Sequence, residues 1–297
     1  MTTLGGVARV DVFSVKGGVG KTTVSVALAH AQAAHSKKPV LLVDADLTGT
    51  CLGHLLAPAI NGDWNQVHNL AHLICDPPET LDDALVRDRI PVYRLPSQHN
   101  ADPKHHHVSR VENFAGQVLY CPSHGNSTAP NFVDPRVLQA LVGHETAGGW
   151  VRLVIKKIIK ATADVAGELG GVIVDHSPGM AALQTATLED IGEAPGVRRA
   201  LFVTTSDRVD LKMTSATVGH LKEELRGPSL FLVNRARSQW RELPHTCKKS
   251  EFDTPWVNGA HELEYSEALR KAYEKSDALP LAELRQLSAL RTAVFGD

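Results

Sequence analysis

The residues whose types and spacing point most directly to chemistry form one short segment, Lys16-Gly17-Gly18-Val19-Gly20-Lys21-Thr22-Thr23. An apolar run precedes it and an alanine-rich stretch follows, so the glycines join a predicted strand to a predicted helix. Glycines let backbone N–H groups approach phosphate oxygens without an intervening Cβ. The start of a helix adds further N–H donors and the positive end of a dipole.

Two side chains of this segment suit a nucleoside triphosphate with its metal ion. Lys21 offers an ammonium to the β- and γ-phosphates, and Thr22 offers a hydroxyl to Mg²⁺. The segment therefore predicts a phosphate-binding loop in which the backbone from Gly17 to Thr23 contacts the nucleotide. The alternative is a glycine-rich turn with an incidental lysine.

Carboxylates follow two other apolar runs of the chain. Asp44 and Asp46 come at the end of the run Val40–Val43, and Asp175 follows the run Val172–Val174. The carboxyl ends of parallel strands meet at one edge of a sheet, so we expect these carboxylates beside the glycine-rich loop. Carboxylates there can bind Mg²⁺ or orient an attacking water. The alternative for Asp44 and Asp46 is an acidic pair that caps a helix.

Short apolar runs alternate with amphipathic stretches along the chain. The predicted strands are Val10–Val15, Val40–Val43, Val118–Tyr120, Val172–Val174, Leu201–Thr204 and Leu230–Val233. The predicted helices are Lys21–Ala34, Asp134–Val142, Val151–Leu169, Leu211–Leu225, Ser266–Lys275 and Ala282–Val294. This alternation predicts an α/β fold with a doubly wound, mainly parallel sheet and helices on both faces. We expect a single domain over residues 1–297, with a long irregular excursion at about 96–130.

Composition excludes several classes of protein. Of the 297 residues, 43% are hydrophobic and 22% are charged, as in an ordinary globular protein. No apolar run reaches the ~18–20 residues that span a bilayer, and residues 1–9 lack a signal-peptide pattern. The cysteines form no CxxC pair, and the net charge of -2 does not indicate bulk attraction to nucleic acid. We therefore expect a cytoplasmic protein.

The glycine-rich loop departs from the general pattern GxxxxGK[ST], because Val15 occupies the position of the first glycine. It resembles instead the deviant Walker A motif of the ParA/MinD family of ATPases. The resemblance implies that Lys16 reaches the phosphates of an ATP held by a facing subunit, and hence an ATP-bridged homodimer. A second cation there would stabilise transition-state charge as an arginine finger does. The alternative for Lys16 is a solvated loop lysine.

Two later segments are similar to further motifs of that family. Asp44 to Asp46, followed by Leu47–Leu52, resembles the second motif and switch I. This implies that Asp46 orients or activates the attacking water and that Asp44 supports the metal ion. Gly171–Asp175 resembles Walker B, which implies that Thr22, Asp44 and Asp175 form the magnesium site.

The segment His176–Gly179 resembles switch II, in which the Gly179 N–H meets the γ-phosphate. His176 stands where the family more often has a small residue or proline, and we interpret it as a structural loop histidine; the alternative is a catalytic role.

The run Leu230–Arg235 is similar to the adenine-recognition strand of the family. The resemblance implies that Asn234 hydrogen-bonds the base, since an amide offers both donor and acceptor to a purine edge. Arg235 follows it, and Pro255 lies in a segment that resembles the proline-containing loop flanking the base. The alternative for Asn234 is a turn residue at a strand end.

The resemblance as a whole implies a P-loop ATPase in which Lys16, Lys21 and Asp46 are catalytic. Its dimerisation would control association with a partner protein, DNA or a membrane site. Basic residues after the adenine strand offer a nonspecific DNA contact, although a solvated basic loop explains them equally well; they are Arg235, Arg237, Arg241, Lys248 and Lys249. The apolar C-terminal residues carry few cations, so we expect a core-packed helix rather than a membrane anchor.

Two other functions stay open at this point. A metallocentre or iron–sulfur assembly NTPase agrees with the 15 histidines, but the missing CxxC pair opposes it. A P-loop small-molecule kinase or ligase would need an acceptor site within residues 54–169, where no motif identifies one.

Overall fold

The computed structural model describes residues 7–47, 52, 70–71, 93–95, 115–123, 147–179, 198–221, 229–236, 261–264 and 287–296. The strands in these ranges are β1 (Arg9–Phe13), β2 (Val40–Ala45), β3 (Tyr93–Leu95), β4 (Val118–Cys121), β5 (Gly171–His176), β6 (Arg198–Thr205), β7 (Ser229–Ala236) and β8 (His261–Glu264). The helices that position the site and the core are α1 (Lys21–Ser36), α2 (Ala147–Ala166), α3 (Arg208–His220) and α4 (Leu287–Phe295). None of the described helices is both long enough and apolar enough to cross a bilayer.

The eight described strands form one sheet in the order β3-β4-β2-β5-β1-β6-β7-β8. Neighbouring strands are parallel except at one edge, where β3 runs antiparallel to β4. Strand β1 lies near the middle, between β5 and β6, so the loop after β1 opens at the carboxyl edge between its neighbours. The predicted doubly wound, mainly parallel sheet is therefore confirmed.

Hydrophobic side chains cover both faces of the sheet. Val10 and Val12 of β1 lie in one core cluster with residues of α1 and α4. Phe13 points to the opposite face, where it stacks on Phe202 in a cluster that also contains the α3 residue Val218. Helix α2 completes that second face over β2 and β5. Successive side chains of β1 point to opposite faces of the sheet, because side chains alternate along a strand. Strand β1 is therefore packed on both faces.

Several helices and strands begin or end at residues other than the predicted ones, because of contacts or backbone angles at their ends. Helix α3 begins at Arg208 rather than Leu211, because the Asp207 carboxylate accepts from the N–H groups of Val209 and Asp210 and caps the helix. Helix α2 ends at Ala166, where Gly167 adopts a positive φ of 81°.

Strand β1 ends at Phe13, two residues before the predicted end, where the turn into the glycine-rich loop begins. The short edge strands β3 and β8 were missed, since three residues and the charged sequence of β8 carry little apolar signal.

The C-terminal helix packs against the core, as expected. Leu287, Leu290 and Val294 are buried in the cluster formed with α1. Arg291 adds a hydrogen bond from Nη1 to Gln32 Oε1 of α1 at 3.3 Å. The predicted helices Asp134–Val142 and Ser266–Lys275 lie outside the described residues, as does the irregular excursion apart from residues 115–123.

Candidate nucleotide site

The glycine-rich loop joins β1 to α1 at the carboxyl edge of the sheet. Gly18 and Gly20 have φ angles of 78° and 88°, in the left-handed region that other residues rarely adopt. Gly20 is the N-cap of α1; it has no side chain of its own to cap the helix, and the first turn, which is fully described, holds no acidic residue. The first N–H groups of α1 and its positive dipole end are therefore directed towards an anion-binding position.

Asp175 at the end of β5 is the point at which three side chains of α1 converge. Lys21 Nζ donates to its Oδ1 at 2.9 Å, and Thr22 Oγ1 donates to its Oδ2 at 2.8 Å. Ser25 Oγ also donates to Oδ1, at 2.8 Å. Ser25 was not predicted, although it lies one helical turn after Lys21 and therefore on the same face. The structure thus brings together Lys21, Thr22 and Asp175, as the sequence implied.

Asp44 of β2 stands opposite Asp175 in the parallel pairing of β2 with β5. Its Oδ1 accepts from the backbone N–H of Asp46 at 3.0 Å, and its Oδ2 accepts from Tyr120 Oη at 3.2 Å. Burial, with the nearby charges of Asp46 and Asp175, raises the pKa of Asp44 to about 8. Tyr120 was predicted only as part of a strand, and no motif marked its hydroxyl.

The charges of this cluster also act on Lys21. Burial alone would lower the pKa of Lys21, but the neighbouring carboxylate of Asp175 outweighs it, with smaller contributions from Asp46 and Asp44. The pKa of Lys21 is therefore raised, and the side chain stays a buried ammonium.

These residues fit a phosphate bound together with a divalent cation. The hydroxyl of Thr22 and the carboxylate of Asp175 are hard oxygen ligands of the kind Mg²⁺ prefers. Three carboxylates crowd around one lysine, and their mutual repulsion contributes to the raised pKa of Asp44. A cation would relieve that repulsion, and the first turn of α1 would receive the phosphate.

Lys16 points away from this cluster, towards helix α3 of its own chain. Its Nζ donates to Asp210 Oδ1 at 2.7 Å, and the hydrogen bond raises the pKa of Lys16. Thr205 Oγ1 donates to the other carboxylate oxygen of Asp210 at 2.6 Å. The Lys16 side chain is 54% exposed and that of Asp210 only 6%. Asp210 was missed because it lies in a segment predicted only as the approach to a helix.

The segment after β5 lies beside the glycine-rich loop. The Gly179 N–H donates to the Ser14 carbonyl at 2.8 Å, and Gly179 has a φ of 91°. A Cβ placed on Gly17 would lie 3.9 Å from Pro178 Cγ. Gly179 therefore lies next to the loop, but its N–H is bound to the carbonyl of Ser14, the residue after β1, and the predicted contact with a γ-phosphate stays a prediction.

His176 is the last residue of β5 rather than a loop residue, and it faces the opposite side of the sheet from Asp175. Its ring stacks on Phe13 with 4.6 Å between centroids, and Nε2 donates to Asp11 Oδ1 at 2.9 Å. Arg9 Nη2 donates to the same oxygen at 2.6 Å. Within the described part of the chain no partner reaches His176 Nδ1, which is buried. The interpretation of His176 as structural agrees with this burial, although its place in a strand was not predicted.

Asn234 lies in β7 and reaches the glycine-rich loop. Its Nδ2 donates to the Val19 carbonyl at 2.8 Å. The Arg235 side chain and Pro255 lie outside what the structure describes, as do residues 48–51 of the segment that resembles switch I. The same holds for the basic residues Arg237, Arg241, Lys248 and Lys249.

Comparison with known proteins agrees with this site. The sequence matches the family described as the CobQ/CobB/MinD/ParA nucleotide binding domain over residues 11–279. No curated protein sequence matches the chain.

Several solved structures share the fold. One is the septum site-determining protein MinD from Pyrococcus horikoshii OT3 in complex with Mg-ADP. It shares 19% sequence identity with this chain at a TM-score of 0.57, and the match covers 97% of this chain and 93% of that one. The MinC:MinD cell division complex from Aquifex aeolicus has 14% identity and a TM-score of 0.58, with 96% and 95% covered. An ATP complex of a McdA variant from Cyanothece has 18% identity and a TM-score of 0.58, with 98% and 96% covered.

Proposed function

We propose that this chain, which belongs to the CobQ/CobB/MinD/ParA nucleotide binding domain family, binds Mg-ATP and hydrolyses it to ADP and phosphate as a dimerisation switch. The observation that carries the proposal is the convergence of Lys21, Thr22 and Ser25 on Asp175 at the open end of α1. A helix start with a glycine as its N-cap, a buried ammonium and an oxygen-rich metal site are what a triphosphate with Mg²⁺ requires.

The chain's own residues have separate roles in this proposal. Bound Mg-ATP would supply the γ-phosphate as electrophile and a cation that neutralises charge on the phosphate oxygens. Asp175 keeps the Lys21 ammonium at a fixed place, and the raised pKa keeps it charged at neutral pH. Thr22, Asp175 and Asp44 hold oxygen ligands for the cation. Asp46, the residue directly after β2, would orient a water and accept its proton.

The dimeric part of the proposal concerns Lys16. Its side chain is half exposed beside the glycine-rich loop, so it is accessible to a second copy of the chain. In a face-to-face dimer each Lys16 would place its ammonium at the nucleotide of the other subunit, which adds charge stabilisation to a slow hydrolysis. Hydrolysis would then separate the subunits.

The same switch would control binding to another macromolecule. The structural relatives include a MinD bound to MinC, and by analogy we infer a protein partner for this chain. We also propose that the basic residues after Asn234 contact DNA without sequence specificity. The proposed location of the protein is the cytoplasm.

Nucleotide binding and phosphate release test the ATPase part. We expect Lys21→Ala to abolish both, and Asp46→Ala to keep Mg-ATP binding while hydrolysis is lost. Asp164→Asn, a change on α2 remote from the site, is the control. Phosphate release without any acceptor separates hydrolysis from transfer to a small molecule. A wild-type chain that binds no nucleotide in the presence of Mg²⁺ contradicts the proposal.

Light scattering with and without Mg-ATP tests the dimer. We expect the mass of Asp46→Ala to double with Mg-ATP, and Lys16→Ala to prevent the increase while ATP binding persists. A wild-type protein that stays monomeric when saturated with ATP excludes the switch.

A further inference from the structure

We propose that Asn234 is a positioning residue of the phosphate loop, so that it strengthens phosphate binding even when the ligand has no base. The inference rests on the proposed nucleotide function and assigns Asn234 a role beyond base recognition. Its first support is the hydrogen bond from Nδ2 to the Val19 carbonyl at 2.8 Å, between strand β7 and the centre of the glycine-rich loop.

The hydrogen bond fixes which end of the amide faces the loop. A carbonyl oxygen only accepts, so the NH₂ group of Asn234 and not its oxygen must point at Val19. The contact therefore uses one of the two amide hydrogens, and the side-chain oxygen remains outside this bond.

Holding the Val19 carbonyl also orients the N–H group of the next residue. Val19 C=O and Gly20 N–H belong to one planar trans peptide unit, in which the two groups point in opposite directions. With the carbonyl directed at β7, the Gly20 N–H points away from β7. The residues on either side of Val19, Gly18 and Gly20, both have positive φ, so this peptide unit has few conformational restraints of its own.

A close approach between Asn234 and Gly20 supports the same role. A Cβ on Gly20 would collide with Asn234 Nδ2, so the amide occupies the space a side chain would need. The β7–β8 pairing changes register between Asn234 and Ala236, directly after the amide. Asn234 itself is still paired with Leu263, so its backbone is held in the sheet while its amide reaches the loop.

The experiment compares two ligands that differ in the base. Mg-ATP carries adenine, whereas Mg-tripolyphosphate offers the loop phosphates alone. Asn234→Leu keeps a similar shape and removes the donor. We expect the dissociation constants of both ligands to rise by the same factor, roughly three- to tenfold, as for the loss of one hydrogen bond. Isothermal titration of the full-length protein measures both.

Ser229→Ala is the matched control, because Ser229 lies in the same strand at its opposite end. It should leave both affinities unchanged. Asn234→Ala repeats the comparison if the leucine variant does not fold.

Two results overturn the inference while leaving the proposed function intact. One is an Asn234 variant that weakens Mg-ATP and leaves Mg-tripolyphosphate unchanged, since the amide would then act on the base only. The other is a wild-type chain that binds Mg-ATP but not Mg-tripolyphosphate. A wild-type chain that binds neither ligand contradicts the proposed function itself, and the inference fails with it.

Discussion

Lys16 Nζ lies 2.7 Å from Asp210 Oδ1, so the extra lysine of the glycine-rich loop is bound to helix α3 of its own chain. Asp210 is anchored at the start of that helix by Thr205, while the lysine side chain is half exposed. A lysine that serves a facing subunit must first leave this carboxylate. The intramolecular pair and the proposed dimer contact therefore compete for one ammonium.

Asp210→Asn should favour the ATP-dependent dimer, because it weakens the competing pair and leaves Lys16 in place. Although the Asp210 side chain is only 6% exposed, the ammonium of Lys16 is 54% exposed and screened by water, so we expect the dimer dissociation constant to fall by only about two- to fivefold. Sedimentation of the protein with Mg-ATP measures it. Asp164→Asn removes a solvent-accessible pair with Lys160 within α2 and should have no effect. An unchanged dimer constant in Asp210→Asn would show that Lys16 is not exchanged between the two contacts.

Asp175→Asn should remove the Mg²⁺ dependence of nucleotide binding. The substitution takes away the charged oxygens that Lys21, Thr22 and Ser25 contact, and with them the anionic ligand for the cation. We expect the ratio of ADP affinities with and without Mg²⁺ to fall at least tenfold towards one. Titrations in Mg²⁺ and in EDTA give that ratio, with Asp164→Asn as control. A variant that retains the full Mg²⁺ effect would place the cation elsewhere.

The sequence was sufficient to predict those features that depend on residues adjacent in the chain. Glycines followed by Lys21 and Thr22 identify a phosphate loop from their own order. Apolar runs that end in Asp44 or Asp175 identify strands whose ends carry carboxylates. The strand–helix alternation then placed these ends at one edge of the sheet, where the structure has them.

The features that could not be predicted depend on residues far apart in the chain. Asp210 meets Lys16 across 194 positions, and Tyr120 meets Asp44 across 76. Nothing in the segment around either partner identifies the other. Asp11 is an intermediate case: Arg9 lies two residues away on the same face of the strand and could have been paired with it from the sequence, whereas His176, 165 positions away, could not.

Arg9→Met should destabilise the fold through Asp11. Burial by itself would raise the pKa of Asp11, but Arg9 and His176 outweigh it and hold the pKa below its usual range. Without Arg9 the negative charge of Asp11 is buried with too little positive charge beside it. Such a change typically lowers the free energy of unfolding by about 3–5 kcal/mol. Urea unfolding at pH 7 measures the loss. Lys38→Met, which breaks an exposed pair with Glu168, should cost less than about 1 kcal/mol.

The pH dependence of that loss identifies Asp11 as its source. A carboxyl group with a lowered pKa stabilises the folded state above the unfolded pKa of about 4, and this contribution disappears as the pH falls through the folded value. The difference between wild type and Arg9→Met should therefore be largest at neutral pH and shrink in acid. A difference that stays constant down to pH 3 would point to lost packing of the arginine instead.

His30 in α1 should make the fold sensitive to mild acid. Burial lowers its pKa from 6.5 to about 4, so the folded state favours the neutral ring. Above pH 6.5 the His30 ring is neutral in both the folded and the unfolded state, so no stability is lost. Between pH 6.5 and 4 the ring binds a proton in the unfolded chain but not in the folded chain. We expect the free energy of unfolding to fall by about 2 kcal/mol more in wild type than in His30→Gln between pH 7 and pH 5. His35→Gln, at an exposed site in the last turn of the same helix, should behave as wild type. Equal acid sensitivity of the wild type and His30→Gln would mean that the ring is hydrated enough to titrate normally in the folded protein.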